Sequence, residues 1–456
     1  MRPPFDIAAD LDTPVSAFLK LGPLRPRYLL ESVEGGERLA RYSFLGFGEA
    51  LDVRLGGDAL TIDGISTPVS DGPSRLDALR KALARAPRPG PHVPGLKLLG
   101  GLVGAVNYDF VRRLERLPAR TPGDPEAAFV ACRSLIVFDH VSRRVAMLHD
   151  GTDAERDELS REVRGLLAGP VPAVRSGRRS EAVPSLTRAQ YCDTVERARE
   201  HIAAGDVFQL VAAVRFEGET DLPPFTVYRA LRSLNPSPYS FYLDLGDRQV
   251  VGSSPEALVR LESGEATLRP IAGTRRRGAT DAEDKALEIE LLADPKEAAE
   301  HVMLVDLARN DLGRVAETGS IRVEPFRVVE RYSHVMHIVS GVRGRLAPGY
   351  DMFDLFAAAF PAGTVTGAPK VRAMEIIDEL EPTDRGLYAG TVGYFGADGD
   401  MDQAIAIRTI EMSNGRYAVQ AGAGIVADSV PEREHDEVLQ KSRALMAALE
   451  RAETGL

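Results

Sequence analysis

Apolar positions recur along this chain with two periods, and the stretch beginning at Asp294, DPKEAAEHVMLVDL, carries the helical one with an anomaly. Asp294 suits an N-cap, Pro295 the first helical position, and Met303, Leu304 and Leu307 recur at helical spacing. At about 100° per residue, Glu300 falls between Met303 and Leu304, and Glu297 lies just beyond, on the stripe that faces the core. A carboxylate taken out of water is costly unless it is protonated, paired or bound to a metal. All three outcomes are open at this level. A second helix, SVPEREHDEVLQKSRALMAALERA, starts at Pro431 and has Val438, Leu445 and Leu449 as its apolar stripe, with Glu434, Glu437 and Lys441 at the edge.

The strand period dominates elsewhere. Before residue 169, strand-like runs are ALTIDGI, GGLVGAVNY and SLIVFDHVSRRVAMLHD, with helical patterns at SRLDALRKALARA and DAERDELSREVRGLLAG. Residues 169–185, GPVPAVRSGRRSEAVPS, have no apolar periodicity and read as a linker or exposed loop. Beyond it, SLTRAQYCDTVERAREHIAAG predicts a helix capped by Ser185 and ended by Gly205, followed by the strand DVFQLVAAVRFEGE. Later strands are SFYLDL, RQVVGSS, EATLRP, GTVGYFG, DQAIAIRTIEM and RYAVQAGAGIVA, the last three reading as an antiparallel meander. The fold class is therefore α+β, and strands outnumber regular βαβ units, which argues against a dinucleotide-binding sheet. The expected division is an N-terminal regulatory or scaffold region over 1–168, the linker 169–185 and a catalytic region over 186–456.

At 456 residues the chain can bury two cores or one large composite one, and 44% hydrophobic with 27% charged residues is a globular composition. A net charge of -11 argues against general nucleic-acid binding, although Arg275, Arg276 and Arg277 can supply local positive potential to a small anion. Cys132 and Cys192 make neither a disulfide framework nor a cysteine metal cluster, so a reducing, cytoplasmic setting is expected. The opening MRPPFDIAADLD lacks an apolar signal core, and no apolar run reaches membrane-spanning length.

Two displaced carboxylate pairs on separate helices allow a shared divalent cation, and hard oxygen ligands without a Cys or His cluster favour Mg2+ over zinc. An interhelical salt-bridge network through Lys296, Lys441 or Arg433 is the alternative, and periodicity does not decide between them. FPAGTVTGAPK fails as a phosphate-cradling loop, because Gly363 and Gly367 are four apart and Lys370 precedes Val371 instead of Ser or Thr. As a helix start led by Pro369 it can still aim backbone N–H groups at a carboxylate. Gly422 and Gly424, in QAGAGIVADS, mark a turn, a bulge or a close approach.

Taken together, SSPEALV, PIAGTRRRG, DPKEAAEHVMLVDLARNDLGRV, HVMHIVS, FPAGTVTGAPK, AIAIRT and AGAGIVADSVPEREHDE, with Lys441, occur in one order along the chain. In that order the chain from about Thr187 to its end resembles the chorismate-utilising enzymes, and among them the anthranilate synthase large subunits. LLES, RYSFLG and GGLVGAVNYDFVRRLERLP resemble the N-terminal region of the same subunits. The resemblance implies packed antiparallel sheets flanked by helices. It also implies Mg2+ held directly by Glu300 and Glu437, and through water by Glu297 and Glu434, against the ring carboxylate of chorismate.

The same resemblance implies that ammonia adds at ring C2 while the C4 hydroxyl leaves, and that pyruvate is then eliminated as the ring becomes aromatic. Glu256 matches the acid that protonates the leaving hydroxyl, and His337 the histidine of the elimination step. Arg408 matches the partner of the enolpyruvyl carboxylate, while Gly273, Thr274, Thr364, Tyr394, Gly422, Gly424 and Lys441 match positions lining the pocket. Ala272 stands where many aminodeoxychorismate synthases have a lysine that attacks the ring, and Gln209 where isochorismate and salicylate synthases have a water-activating lysine. Ammonia is the remaining nucleophile. No glutaminase segment is recognisable, so a glutamine amidotransferase subunit is the expected partner in a hetero-oligomer. Tryptophan is the implied feedback inhibitor, at Glu31 and Ser32 together with Asn235, Pro236, Ser237, Pro238 and Tyr239; Ser240 departs from the methionine of that motif. An aminodeoxychorismate synthase component and a non-catalytic tryptophan-binding subunit are the alternatives; damaged metal glutamates or a missing Glu256 would mark the latter, and all are present.

Overall fold

The structure, a computed structural model, describes residues 7–8, 11–32, 41–70, 72–118, 125–332 and 335–455. Part of the opening segment, and His334 of HVMHIVS, lie outside the described residues. Among the described residues, twenty-one strands form one curled antiparallel network, and a separate three-stranded sheet joins Ile271–Arg276, Val335–Val339 and Val328–Arg331.

The strands Gly101–Val106 and Thr391–Gly396 pair with each other and are buried at every position. Alternate residues of a strand point to opposite faces, so Leu102 and Val106 enter one apolar cluster while Val103 and Ala105 enter another. Both faces are covered, which is why these runs read as continuously apolar. The network also joins residues on either side of 169–185: Pro26–Glu31 pairs with Tyr239–Asp244. Residues 169–185 lie mostly exposed between these parts, with Val183–Pro184 paired with Phe216 and Glu217 and Arg179 bridging Thr220.

Two local readings are corrected and one open reading is narrowed. The helix Arg188–Ala203 is capped by Thr187, whose hydroxyl accepts from Gln190 N–H in a capping box, because Ser185 is committed to the Arg215 N–H (3.0 Å). DQAIAIRTIEM is two strands, Met401–Ile405 and Thr409–Ser413, paired with different neighbours, Ala257–Glu262 and Gln249–Ser254. The chain breaks between them at Arg408, whose φ of 52° lies in the left-handed region. Gly422 and Gly424 sit in an unbroken ladder between Arg416–Ile425 and Gln209–Glu219, so neither a turn nor a bulge requires them. A Cβ on Gly422 would stand 2.7 Å from the Tyr388 hydroxyl oxygen and 2.8 Å from the Ala212 carbonyl oxygen, so close approach is the reason. No described helix is long and apolar enough to cross a membrane.

Candidate active site

The two anomalous helices are built as expected. Pro295–Gly313 starts under Asp294, which accepts from the N–H groups of Lys296 and Glu297, and Pro431–Thr454 has proline in its first turn. Glu297, Glu300, Glu434 and Glu437 share one electrostatic neighbourhood. Burial first, then the Glu297 and Glu437 charges, push Glu300 above the usual carboxylate range; burial and Glu437 push Glu434 the same way. Part of the salt-bridge alternative is realised, since Lys441 Nζ holds Glu437 at 2.7 Å, and Arg275 holds Glu297 at 3.2 Å. Among the described residues no three Cys, His, Asp or Glu side chains converge on one metal position. The donor set nonetheless suits a hard dication: four carboxylates without sulfur, two of them pushed above the usual carboxylate range by burial and repulsion that such a charge would relieve.

Glu256 stands between the strands Gln249–Ser254 and Ala257–Glu262. It keeps some accessible surface, yet desolvation pushes its pKa up to about 7, against the smaller lowering effects of Thr364 and the Lys441 charge. The Thr364 hydroxyl donates to Glu256 Oε1 at 2.9 Å, leaving Oε2 to carry the proton. Thr364 lies in the 3-10 turn Gly363–Val365 of the FPAGTVTGAPK loop. Lys370 of that loop is spent on structure, donating to Asp311 (2.7 Å) and to the Ala359 carbonyl (3.0 Å).

His337 lies on Val335–Val339 with Nδ1 3.0 Å from the Gly273 carbonyl oxygen and 3.1 Å from Thr274 Oγ1. A carbonyl only accepts, so Nδ1 carries the hydrogen and Nε2 keeps its lone pair. Burial lowers the His337 pKa against the smaller raising effect of the Gly273 carbonyl, which favours the neutral imidazole. Gly273 has φ of 68° at a bulge between Ala272 and Thr274, and a Cβ there would stand 3.1 Å from Glu297 Oε2. The histidine is thus tied to the carboxylate helix.

Arg408 is a partly buried cation. Its guanidinium donates to the Lys441 carbonyl, and burial lowers its pKa. Lys441 Nζ donates to the Gly422 carbonyl at 2.9 Å and acts electrostatically on Glu256, Glu300 and Glu434. One lysine therefore links acid, carboxylates and cation. Gly424 lies nearby, with the Gln209 amide 3.4 Å from where its Cβ would be.

Tyr394 is placed elsewhere: it lines a cavity of about 310 Å³ together with Glu31, Ser32, Pro238 and Tyr239. The tyrosine that belongs with Arg408 is Tyr388, which the sequence reading missed. Its hydroxyl packs on Gly422, Arg408 acts on it electrostatically, and burial pushes its pKa up to about 12. Two strands, Thr391–Gly396 and Met401–Ile405, separate it from Arg408, so no local periodicity relates the two residues. In the 310 Å³ cavity Glu31 is buried and accepts from Arg232 Nε (2.8 Å) and from the Tyr228 hydroxyl, while Tyr239 donates to Asp402 at 3.0 Å. Ser237 is buried beside it, and Asn235 Nδ2 donates to the Ser253 carbonyl at 3.4 Å. Pro236 completes that turn. A larger surface groove, about 740 Å³, runs along Ser180–Ser185 and Arg416 and holds none of these acid, base or cation groups.

The family described as chorismate binding enzyme matches residues 25–447. Anthranilate synthase component 1 of Thermus thermophilus is 48% identical over 459 residues, covering 98% of this chain and 97% of that protein. The Streptomyces coelicolor protein of the same name is 48% identical, covering 97% and 88%. The crystal structure of anthranilate synthase component I from Streptococcus pneumoniae superposes with a TM-score of 0.79 at 38% identity, covering 89% of this chain and 92% of that one. The menaquinone-specific isochorismate synthase of Escherichia coli shares the fold, with a TM-score of 0.69 at 20% identity over 95% and 91% of the chains.

Proposed function

The chain belongs to the chorismate-binding enzyme family, and from that membership we propose that it converts chorismate and ammonia to anthranilate and pyruvate, as the component I of an anthranilate synthase. The observation that carries the reading is Glu256, a carboxyl whose environment puts its pKa near 7 beside a hydroxyl donor, as an acid needs for a poor leaving group at neutral pH.

Ammonia's lone pair forms the bond to ring C2, the ring double bonds shift, and the C4–O bond breaks as Glu256 Oε2 gives its proton to the departing hydroxyl, which leaves as water. His337 Nε2 then takes the C2 proton. The C3–O bond breaks, the ring becomes aromatic, and the enolpyruvyl group leaves as pyruvate once its methylene carbon is protonated. Arg408 orients the enolpyruvyl carboxylate, with Tyr388 beside it. Glu300 and Glu437 would hold Mg2+ directly, with Glu297 and Glu434 acting through water, and the ion would supply positive charge at the ring carboxylate. Lys441 would have to release Glu437 to admit it.

A separate glutamine amidotransferase subunit supplies the ammonia in this reading, and tryptophan occupies the cavity around Glu31, Ser32 and Tyr239 as inhibitor. The experiment is turnover of chorismate by the purified chain with ammonium, with glutamine alone, and with tryptophan added. Ammonium-dependent, glutamine-independent turnover suppressed by tryptophan is expected; turnover with glutamine alone contradicts the partner, and indifference to tryptophan contradicts the inhibitor site. For the elimination step, His337→Met is expected to slow pyruvate release about 10²-fold or more while ammonia addition continues. Quenched reactions of that variant should accumulate the amino-adduct, and equal slowing of both steps would count against the role.

A further inference from the structure

Glu381 and Arg385 form an ion pair that is 5% and 2% exposed, and neither residue reaches the acid, the base or the substrate cation. Arg385 Nε and Nη2 donate to Glu381 at 2.9 and 2.7 Å. Nη1 donates to the Val365 carbonyl at 2.6 Å, and Nη2 also donates to the Val211 carbonyl at 2.8 Å. Glu381 Oε1 accepts the Ala213 N–H at 2.9 Å. The guanidinium carbon lies 5.0 Å from the Tyr108 ring centroid and 5.5 Å from that of Tyr388. A buried ion pair is weak as a source of stability, because hydrophobic residues of similar volume commonly serve as well. Its specific effect is geometric: a planar fork fixes several partners at once, which an ammonium cannot.

The partners are the site's own framework. Val365 follows Thr364, the residue that donates to Glu256. Val211 and Ala213 are the ladder partners of Gly424 and Gly422. Tyr388 is the ring packed on Gly422 beside Arg408. We propose that the Glu381–Arg385 pair is a positioning clamp for the reaction, setting the Thr364 hydroxyl against Glu256 through the Val365 carbonyl and setting Tyr388 beside Arg408 through its ring. The proposal rests on Glu256 being the acid.

The test compares Arg385→Lys, Thr364→Val and their combination, each checked for native circular dichroism, in ammonium-dependent turnover of chorismate. Each single variant is expected to lose roughly 10- to 100-fold in kcat, and the double variant to fall within about threefold of the worse single one, because both act through one contact. The Thr364 hydrogen bond lowers the Glu256 pKa, so in both singles the ionisation of the acid should move to higher pH, a change that loss of packing alone does not produce. Multiplicative losses in the double variant, or an unmoved pH profile, overturn the clamp. Should Arg385→Lys not fold, the charge-free pair Glu381→Leu with Arg385→Met replaces it under the same criteria. Glu256→Gln is run alongside: if it stays active, the acid assignment fails, whereas an inactive Glu256→Gln with multiplicative losses at the clamp sinks the clamp alone.

Discussion

Glu256→Gln is expected to turn over chorismate about 10²–10⁴-fold more slowly while folding normally. Hydroxide is a poor leaving group, and glutamine keeps the shape and the Thr364 contact but has no proton to give. With free ammonia held constant, parent kcat should fall as pH rises through about 7, where the acid form is lost. The same carboxyl makes a prediction independent of turnover. Its folded pKa of about 7 lies above the model-peptide value of 4.5, so the parent binds the extra proton when folded and loses stability as pH rises between these values. Glutamine has no such dependence. Above pH 7 the variant's Tm should therefore equal or exceed the parent's, and a variant that melts lower there and keeps most of its kcat would remove Glu256 from the mechanism.

Glu300→Gln is expected to abolish Mg2+-dependent turnover and the Mg2+-induced rise in Tm together. A ligand bound only by the folded state raises Tm by an amount that grows with the logarithm of its concentration above Kd, so the second readout does not depend on catalysis. Without metal the sign reverses. Burial and the Glu297 and Glu437 charges oppose ionisation of Glu300, and removing its charge should leave the metal-free variant at least as stable as the parent at neutral pH. Normal turnover at limiting Mg2+, with an unchanged Tm rise, would refute the assignment.

The carboxylate helices were legible because periodicity displaces Glu297 and Glu300 from where a solvated helix would carry them, and Asp294 with Pro295 marks the start without ambiguity. Glu256 and His337 have no such local signature; only their motifs single them out, their pKa shifts come from burial, and their hydrogen-bond partners Thr364 and Gly273 lie 108 and 64 residues away in sequence. The 402–412 run reads as one strand because alternation continues through Ala406 and Ile407, and the left-handed backbone at Arg408 that ends the first strand leaves no trace in hydropathy. Tyr388 lies outside the strands, just before Thr391–Gly396, and carries no periodic signal, whereas Tyr394 sits within that strand and lines the other cavity. The Glu381–Arg385 pair was equally invisible, since an acid and a base four apart at a helix end look like an ordinary exposed pair until the burial is known.

The most direct test is product analysis of the purified chain given chorismate, Mg2+ and ammonium. Anthranilate and pyruvate in equal amounts, formed only with ammonia, is the predicted result. Aminodeoxychorismate without pyruvate, or no chorismate consumption by the folded protein, would contradict it.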